Sequence, residues 1–312
     1  MIGDLPKAFD RNFAIGYFLP SAIYILGCLA CLRFFGYAVS GQITKDNPWF
    51  STSLLAVFTW LGGVLLMALN RTLIRLKEGY GEYNPALLWK RLERSRYLKL
   101  ESDLESVEQE WWDCSDRKQE PSDSLKKQRI QLFFKAAEEF PDSVDLLMPT
   151  RFGNTVRAFE VYPRVMYGLE ATSGWDRLLA VIPKEMQEII DGLKAQMDFW
   201  VNLWFLGIVF SIQWGVLCIL NRRASWLWAI LAVLLFSLWA SRRSRYAAAD
   251  WGSLIKAACD TCLPKLIQCL GLAVGDSNEA QRSALESFSQ AVTYRDAESL
   301  PPRQPLKEKP RG

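Results

Sequence analysis

Histidine is absent from the 312 residues of this chain. That removes the Ser-His and Cys-His nucleophile pairs, the histidine-ligated zinc and haem sites, and the usual general base near neutral pH. Catalysis would fall to Asp, Glu, Lys, Tyr or Cys alone, so the sequence points away from an enzyme. Charge is also missing, but only in places. Charged residues make up 23% of the chain, the net charge is +3 and the mean hydropathy is near zero. Yet residues 13–32, 50–69, 199–220 and 226–240 contain no Asp, Glu, Lys or Arg.

Those four runs match the roughly 20 apolar residues that a helix needs to cross the hydrocarbon core. The thirteen Trp and seventeen Phe fit the same setting, since amphipathic aromatics collect at bilayer interfaces. The first run is too long for the apolar region of a signal peptide, contains Pro20, and is followed by no small-x-small cleavage site. The expected fold class is therefore an all-α membrane protein with four transmembrane helices. They form two hairpins, residues 1–70 and 199–240, flanking a helical insert at 71–198. C-terminal helices at 241–300 and a disordered tail at 301–312 complete the chain.

Orientation follows from the positive charges beside the spans. Arg71, Arg75, Lys77, Lys90, Arg91, Arg94, Arg96 and Lys99 follow the second span. Arg242, Arg243 and Arg245 follow the fourth, and Lys7 and Arg11 precede the first. The other side has Arg33, Lys45 and the turn Asn221-Arg222-Arg223, whose arginines can snorkel to headgroups. Both termini and the insert are expected in the cytoplasm.

Within the insert, Gly79-Tyr80-Gly81 should end a continuation of the second span, and Asn84-Pro85 has the form of an N-cap with proline at the first helical position. Leu88, Leu92, Tyr97, Leu100, Leu104, Val107 and Trp111 predict an amphipathic helix. After the turn at Pro121-Ser122-Asp123-Ser124, a second helix carrying Ile130, Phe133, Phe134 and Ala137 is expected, antiparallel to the first. Thr150 caps a third helix, with Phe152, Val156 and Phe159 on one face and Arg151, Asn154 and Arg157 on another. Pro183 opens a helix that continues into the third span, a stalk roughly 55 Å long at 1.5 Å per residue. Residues 246–272, bent at Pro264, and 279–292 predict the C-terminal helices.

Candidate chemistry is sparse. Cys259-x-x-Cys262 with Cys269 lacks the four-ligand set that zinc wants and lies within a helical pattern, so packing by reduced thiols is the expectation, as for Cys28 and Cys31. Glu138-Glu139 has no histidines to complete a CAAX-protease-type site. The acidic stretch 101–123, with Trp111 and Trp112, reads as a solvated helix end or a partner surface. Arg151, Asn154, Arg157, Glu160, Tyr162, Arg164 and Tyr167 form the densest polar cluster. Arginine forks suit carboxylates and phosphates. The cluster is either a site for a lipid headgroup, nucleotide or acidic partner, or an internal salt-bridge lattice that fixes the insert. Inside the spans the polar residues are Ser21, Thr59, Asn202, Ser211, Gln213 and Ser237, with no central ionisable group of the kind transporters use. Gly62-Gly63 and the Asn202/Gln213 pair suit packing and hydrogen bonding between helices.

Pro149-Thr150-Arg151-Phe152-Gly153-Asn154, then Tyr162-Pro163 and Tyr167-Gly168, together resemble a group of uncharacterised bacterial multi-pass inner-membrane proteins. That group carries a Pro-Thr-Arg-x-Gly-Asn stretch followed by acidic-Tyr-Pro and Arg-Tyr-Gly elements. Val161 and Met166 depart from its pattern. Trp251-Gly252, Ile255-Lys256-Ala257-Ala258 and Leu270-Gly271-Leu272 are similar to its C-terminal helix. The resemblance spans roughly residues 145–275 and implies a bacterial inner membrane but no activity. The sequence leads to a non-enzymatic membrane protein, without cofactor or metal, whose cytoplasmic helices bind a partner or sense a signal. Its expected partners are the lipid bilayer, a cytoplasmic protein and a second copy of the chain, and not nucleic acid. The alternative is an oligomeric channel or membrane-perturbing effector, for example in bacterial defence.

Overall fold

The computed structural model describes residues 10–37, 48–273, 275 and 277–302. The N-terminal arm with Lys7, the loop with Lys45 and the tail beyond residue 302 lie outside the described residues. Helices and their connecting turns account for the described chain, without a β-strand among the described residues. The helices are α1 (Leu19–Phe34), α2 (Pro48–Glu78), α3 (Lys90–Asp116), α4 (Asp123–Glu139), α5 (Arg151–Tyr167), α6 (Ala171–Leu179), α7 (Lys184–Leu220), α8 (Trp228–Leu270) and α9 (Asn278–Tyr294). Four helical segments are long and apolar enough to cross a membrane: Arg11–Phe34, Trp49–Glu78, Lys184–Leu220 and Ala224–Leu270. Each contains one of the four charge-free runs.

The chain forms two compact units. One contains residues up to Asn84 and Asp191–Ala248; the other contains Pro85–Ile190 and the residues from Ala249 onward.

The first unit is apolar, and its internal logic is that every polar group needs a partner from within the chain. Pro20 has no N–H for the Gly16 carbonyl four residues back. Just before it the helix widens into a π-turn over Ala14–Phe18, and the Leu19 N–H bonds to the Ala14 carbonyl five residues back. The Gly16 carbonyl accepts a hydrogen bond from Asn202 Nδ2 on α7 at 2.8 Å. Ser21 Oγ donates to the Thr59 carbonyl on α2 at 2.9 Å. Gln213 Oε1 accepts from Tyr24 at 3.1 Å and lies 3.3 Å from the Cys28 thiol. The α2 face turned inward repeats at alternating three- and four-residue steps: Thr59, Gly63, Leu66, Asn70, Leu73 and Lys77 are all buried. Two glycines admit close neighbours. A Cβ on Gly62 would stand 2.2 Å from Ser21 Oγ, and one on Gly207 2.1 Å from Ser237 Oγ.

At the other end of α1, Arg223 Nη1 donates to the Phe34 carbonyl at 3.0 Å, with its guanidinium 5.5 Å from the Phe34 ring centroid. Trp214 Nε1 closes the same corner by donating to the Trp226 carbonyl at 3.0 Å. An arginine that runs against the charge asymmetry thus has a local role as a helix C-cap.

The second unit is built on the antiparallel pair α3 and α4, joined at Ser122, whose hydroxyl accepts from the Leu125 N–H. Leu100, Phe140 and Leu147 form its small core, with Tyr97, Leu104, Leu132 and Ala136 against them. Two expectations change here, and the outward face of α4 is settled. Ile130, Phe133 and Phe134 face outward, because the contact face of α4 runs through Leu125, Leu132 and Ala136. Asn84 does not cap α3. Its Nδ2 folds back to the Leu76 and Tyr80 carbonyls at 2.8 and 3.0 Å, closing the end of α2, and Pro85–Trp89 forms a 3-10 turn. Residues 246–270 are no separate helix: α8 runs through them, Pro264 included. Helix α6, unforeseen because Gly174 interrupts its pattern, packs so closely that a Cβ there would meet Leu169 at 2.6 Å.

Gly62→Ala should displace the Ser21 hydroxyl from Thr59 and cost about 1 kcal/mol, the scale of a hydrogen bond between membrane helices. In a Ser21→Ala background the same substitution should be nearly neutral, since the clashing atom is gone. Thermal unfolding of the four proteins in mild detergent measures the coupling; additive losses would contradict this packing.

Candidate functional site

Helix α5 carries the polar cluster. Thr150 caps it, accepting the Gly153 N–H at 2.9 Å. Gly168 ends it in the left-handed conformation (φ 75°), where a Cβ would also strike the Arg282 carbonyl at 2.6 Å. Phe152, Val156 and Phe159 are buried. Phe159 stands edge-on to Trp251, and its ring occupies the space a Cβ on Gly252 would need.

The seven candidate residues do not converge on one point. They separate into four groups, three engaged with other parts of the second unit and one paired within α5. Asn154, fully buried, accepts the Met148 N–H at 2.7 Å and donates to Glu93 Oε2 at 3.2 Å. Arg151 approaches the other oxygen of Glu93 at 3.7 Å. Arg157 pairs with Glu160 at 3.2 Å. Burial pushes the Glu160 carboxyl above its ordinary range, and Arg157 opposes the shift. Arg164 lies at the outer limit of an ion pair with Asp142 (4.0 Å) and Glu170 (3.8 Å). Tyr162 and Tyr167 clasp Asp260 of α8, donating to Oδ1 at 2.9 and 2.7 Å.

Two carboxylates therefore organise the cluster, and sequence reasoning singled out neither. Glu93 is a buried charge, and Arg96 Nη1 forks onto both of its oxygens at 2.9 Å while Arg96 Nη2 reaches Glu139 at 3.2 Å. Its signal was present, since a glutamate falls on the apolar side of α3 between Leu92 and Leu100. Asp260 raises the phenols it accepts from. Burial, then the Asp260 hydrogen bond, then its charge push Tyr162 up to about 12, and Tyr167 moves the same way.

A second polar group lies in the first unit. Asp198, also buried, accepts from Tyr17 Oη at 2.6 Å and Lys194 Nζ at 2.8 Å. Its Oδ1 and the Oδ1 of Asn202, one turn on, have no hydrogen-bond partner. Nearby sequence made Asp198 look like a mere boundary marker for the third span. Lys77 is buried with its ammonium 3.0 Å from Ser241 Oγ and 4.3 Å from the Trp204 ring centroid. An apolar pocket of about 170 Å³ is lined by Pro20, Tyr24, Gly27, Leu203, Phe210 and Phe236 among others.

Among the described residues no three His, Cys, Asp or Glu side chains are grouped to hold a metal ion. Cys259 and Cys262 are buried free thiols, and Cys269 is an exposed one. Together, fold and site define an all-helical chain with four helices able to cross a membrane and a charged helical unit held by internal carboxylate hubs. No family model, no curated protein and no solved structure matches the chain.

Glu93→Ala leaves Arg96 with Glu139 and lets Arg151 reach water, so the loss should sit near the low end for a broken buried pair, about 3 kcal/mol. Denaturation in mild detergent checks it; a loss below about 0.5 kcal/mol would remove the hub. The tyrosines give a second test. A folded phenol held above its unfolded value near 10 stabilises the fold below that pH and loses the contribution as pH rises toward 12. Absorbance titration, compared with Tyr162→Phe, should show the Tyr162 phenol ionising late, and Asp260→Asn should bring it part of the way down. An unchanged midpoint in Asp260→Asn would show that the carboxylate does not act on it.

Proposed function

We propose that this chain is a non-enzymatic multi-pass protein of the bacterial inner membrane. Its spans form two hairpins, and its helical insert, C-terminal helices and both termini are cytoplasmic. In this reading the helical unit binds a partner protein, or senses a signal through one. The observation that carries it is the outer face of α4. Ile130, Phe133 and Phe134 stand exposed there, Phe134 at 71%, between Lys127 and the polar flank of the helix. An outward apolar stripe on an otherwise charged hairpin is the usual mark of an interaction surface.

Three further points support the reading. The positive charges beside the spans favour a cytoplasmic insert. The resemblance of residues 149–168 and 251–272 to bacterial inner-membrane proteins agrees with the setting. Ser21 Oγ, Asn202 Nδ2 and Gln213 Oε1, polar atoms that a pore lining would use, are engaged within the chain, and this favours a partner-binding protein over an oligomeric channel.

The test is photo-crosslinking in cells with p-benzoylphenylalanine at position 134. A discrete protein adduct, lost on Ile130→Asp, is the expected result; adducts with a second copy would make the partner the chain itself. Lipid adducts alone, or none, would overturn the reading. Arg151→Ala and Arg157→Ala should weaken the adduct by disturbing α5; a change in yield only would detach α5 from the function.

A further inference from the structure

We propose that residues 83–94 are an interfacial anchor, seated on the anionic headgroups of the bilayer that the chain spans. The inference rests on the four helices crossing that bilayer. It starts from side chains that the fold leaves uncovered. Leu88 is 83% exposed, Trp89 56% and Leu92 54%, with Leu87 and Tyr83 exposed beside them. Folding gains nothing from burying these residues, yet five large apolar or amphipathic side chains occur within ten positions. Lys90, Arg91 and Arg94 are interleaved with them and exposed, and among the described residues none has an acidic partner. Apolar residues with an aromatic, rimmed by long cations, are the composition of a segment that inserts at the headgroup boundary while its charges snorkel.

Position then selects the occupant. Asn84 is hydrogen-bonded to the Leu76 carbonyl, so the segment begins beside the last turns of α2. Leu76 lies seven residues past the apolar run, about 10 Å of helix. The headgroup layer itself is several Å thick, and a Leu or Trp side chain spans much of the remainder. A cytoplasmic protein would have to compete for this strip with a surface already beside it. The local charge also fits: five cations lie between residues 90 and 99 (Lys90, Arg91, Arg94, Arg96 and Lys99), of which Arg96 pairs inward, against Glu93 alone as an acid. Anionic lipid is the complementary surface.

The experiment uses the full chain in nanodiscs, with p-benzoylphenylalanine replacing Leu88 in one protein and Leu61, an exposed residue inside the second span, in another. After illumination, the adducts are weighed by mass spectrometry. Lipid adducts at both positions are expected. In discs containing phosphatidylglycerol, the yield at position 88 should exceed that in phosphatidylcholine discs. It should fall roughly fivefold or more in Lys90→Glu/Arg91→Glu, since each cation near an anionic surface is worth about that factor. No lipid adduct at position 88 with a working control at 61, or an adduct to a second copy there, overturns the anchor. Equal yields in both lipids overturn the anionic preference. Failure at position 61 instead strikes the spanning reading on which the anchor depends.

Discussion

The second unit depends on one buried charge finding enough partners. A carboxylate taken out of water costs several kcal/mol unless its lone pairs are met by donors with good geometry. Glu93 meets that demand with an arginine of its own helix, one turn on, and with Asn154 of α5, itself tied to the Met148 backbone. Arg96 then passes the connection to Glu139 at the end of α4. Three helices with only a small apolar core between them are thus set in register by a directional network. Apolar contacts alone would tolerate sliding; a fork of charge-assisted hydrogen bonds does not.

The first unit solves the opposite problem, a scarcity of polar groups in an apolar surrounding. One device is to turn a polar group toward a defect in a neighbouring helix. Pro20 leaves the Gly16 carbonyl without its usual donor, and Asn202 supplies one. Gly62 and Gly207 leave room where Ser21 and Ser237 stand. Outward positions are left to Leu, Ile, Val and Phe, such as Leu26, Val57, Leu65 and Ile219. This arrangement brings the helices close without a hydrophobic driving force between them.

Spans were legible because their signal is local: a charge-free run of the right length requires no knowledge of what lies beside it. The Thr150 cap and the turn at Ser122 were legible for the same reason, since caps and turns are set within a few residues. What a side chain faces is not local. The 3.6-residue period placed Ile130, Phe133 and Phe134 on one side of α4, but two sides of that helix are apolar. Only Leu100 on α3, with Phe140 and Leu147 completing the core beside it, decides which is covered. Asn84 has the chemistry of a cap for either flanking helix, and the backward choice depends on carbonyls freed at the end of α2. The α5 cluster looked like one site because seven polar residues are close in sequence. Glu93 and Asp260, distant in sequence, divide it.

That division changes what the polar residues can do. Asn154, Tyr162 and Tyr167 have committed their donors to internal carboxylates, and a ligand arriving at α5 would have to outbid short hydrogen bonds already formed. Arg164 is held less tightly, through partly exposed pairs of the kind that contribute little and rearrange easily. In the proposed function, recognition would fall to the apolar stripe on α4 and to the partly exposed arginines Arg151 and Arg164 of α5. A partner using both would gain its affinity from burying Phe134 and its neighbours. The arginines would then set orientation and specificity, the usual division between apolar core and charged rim at an interface.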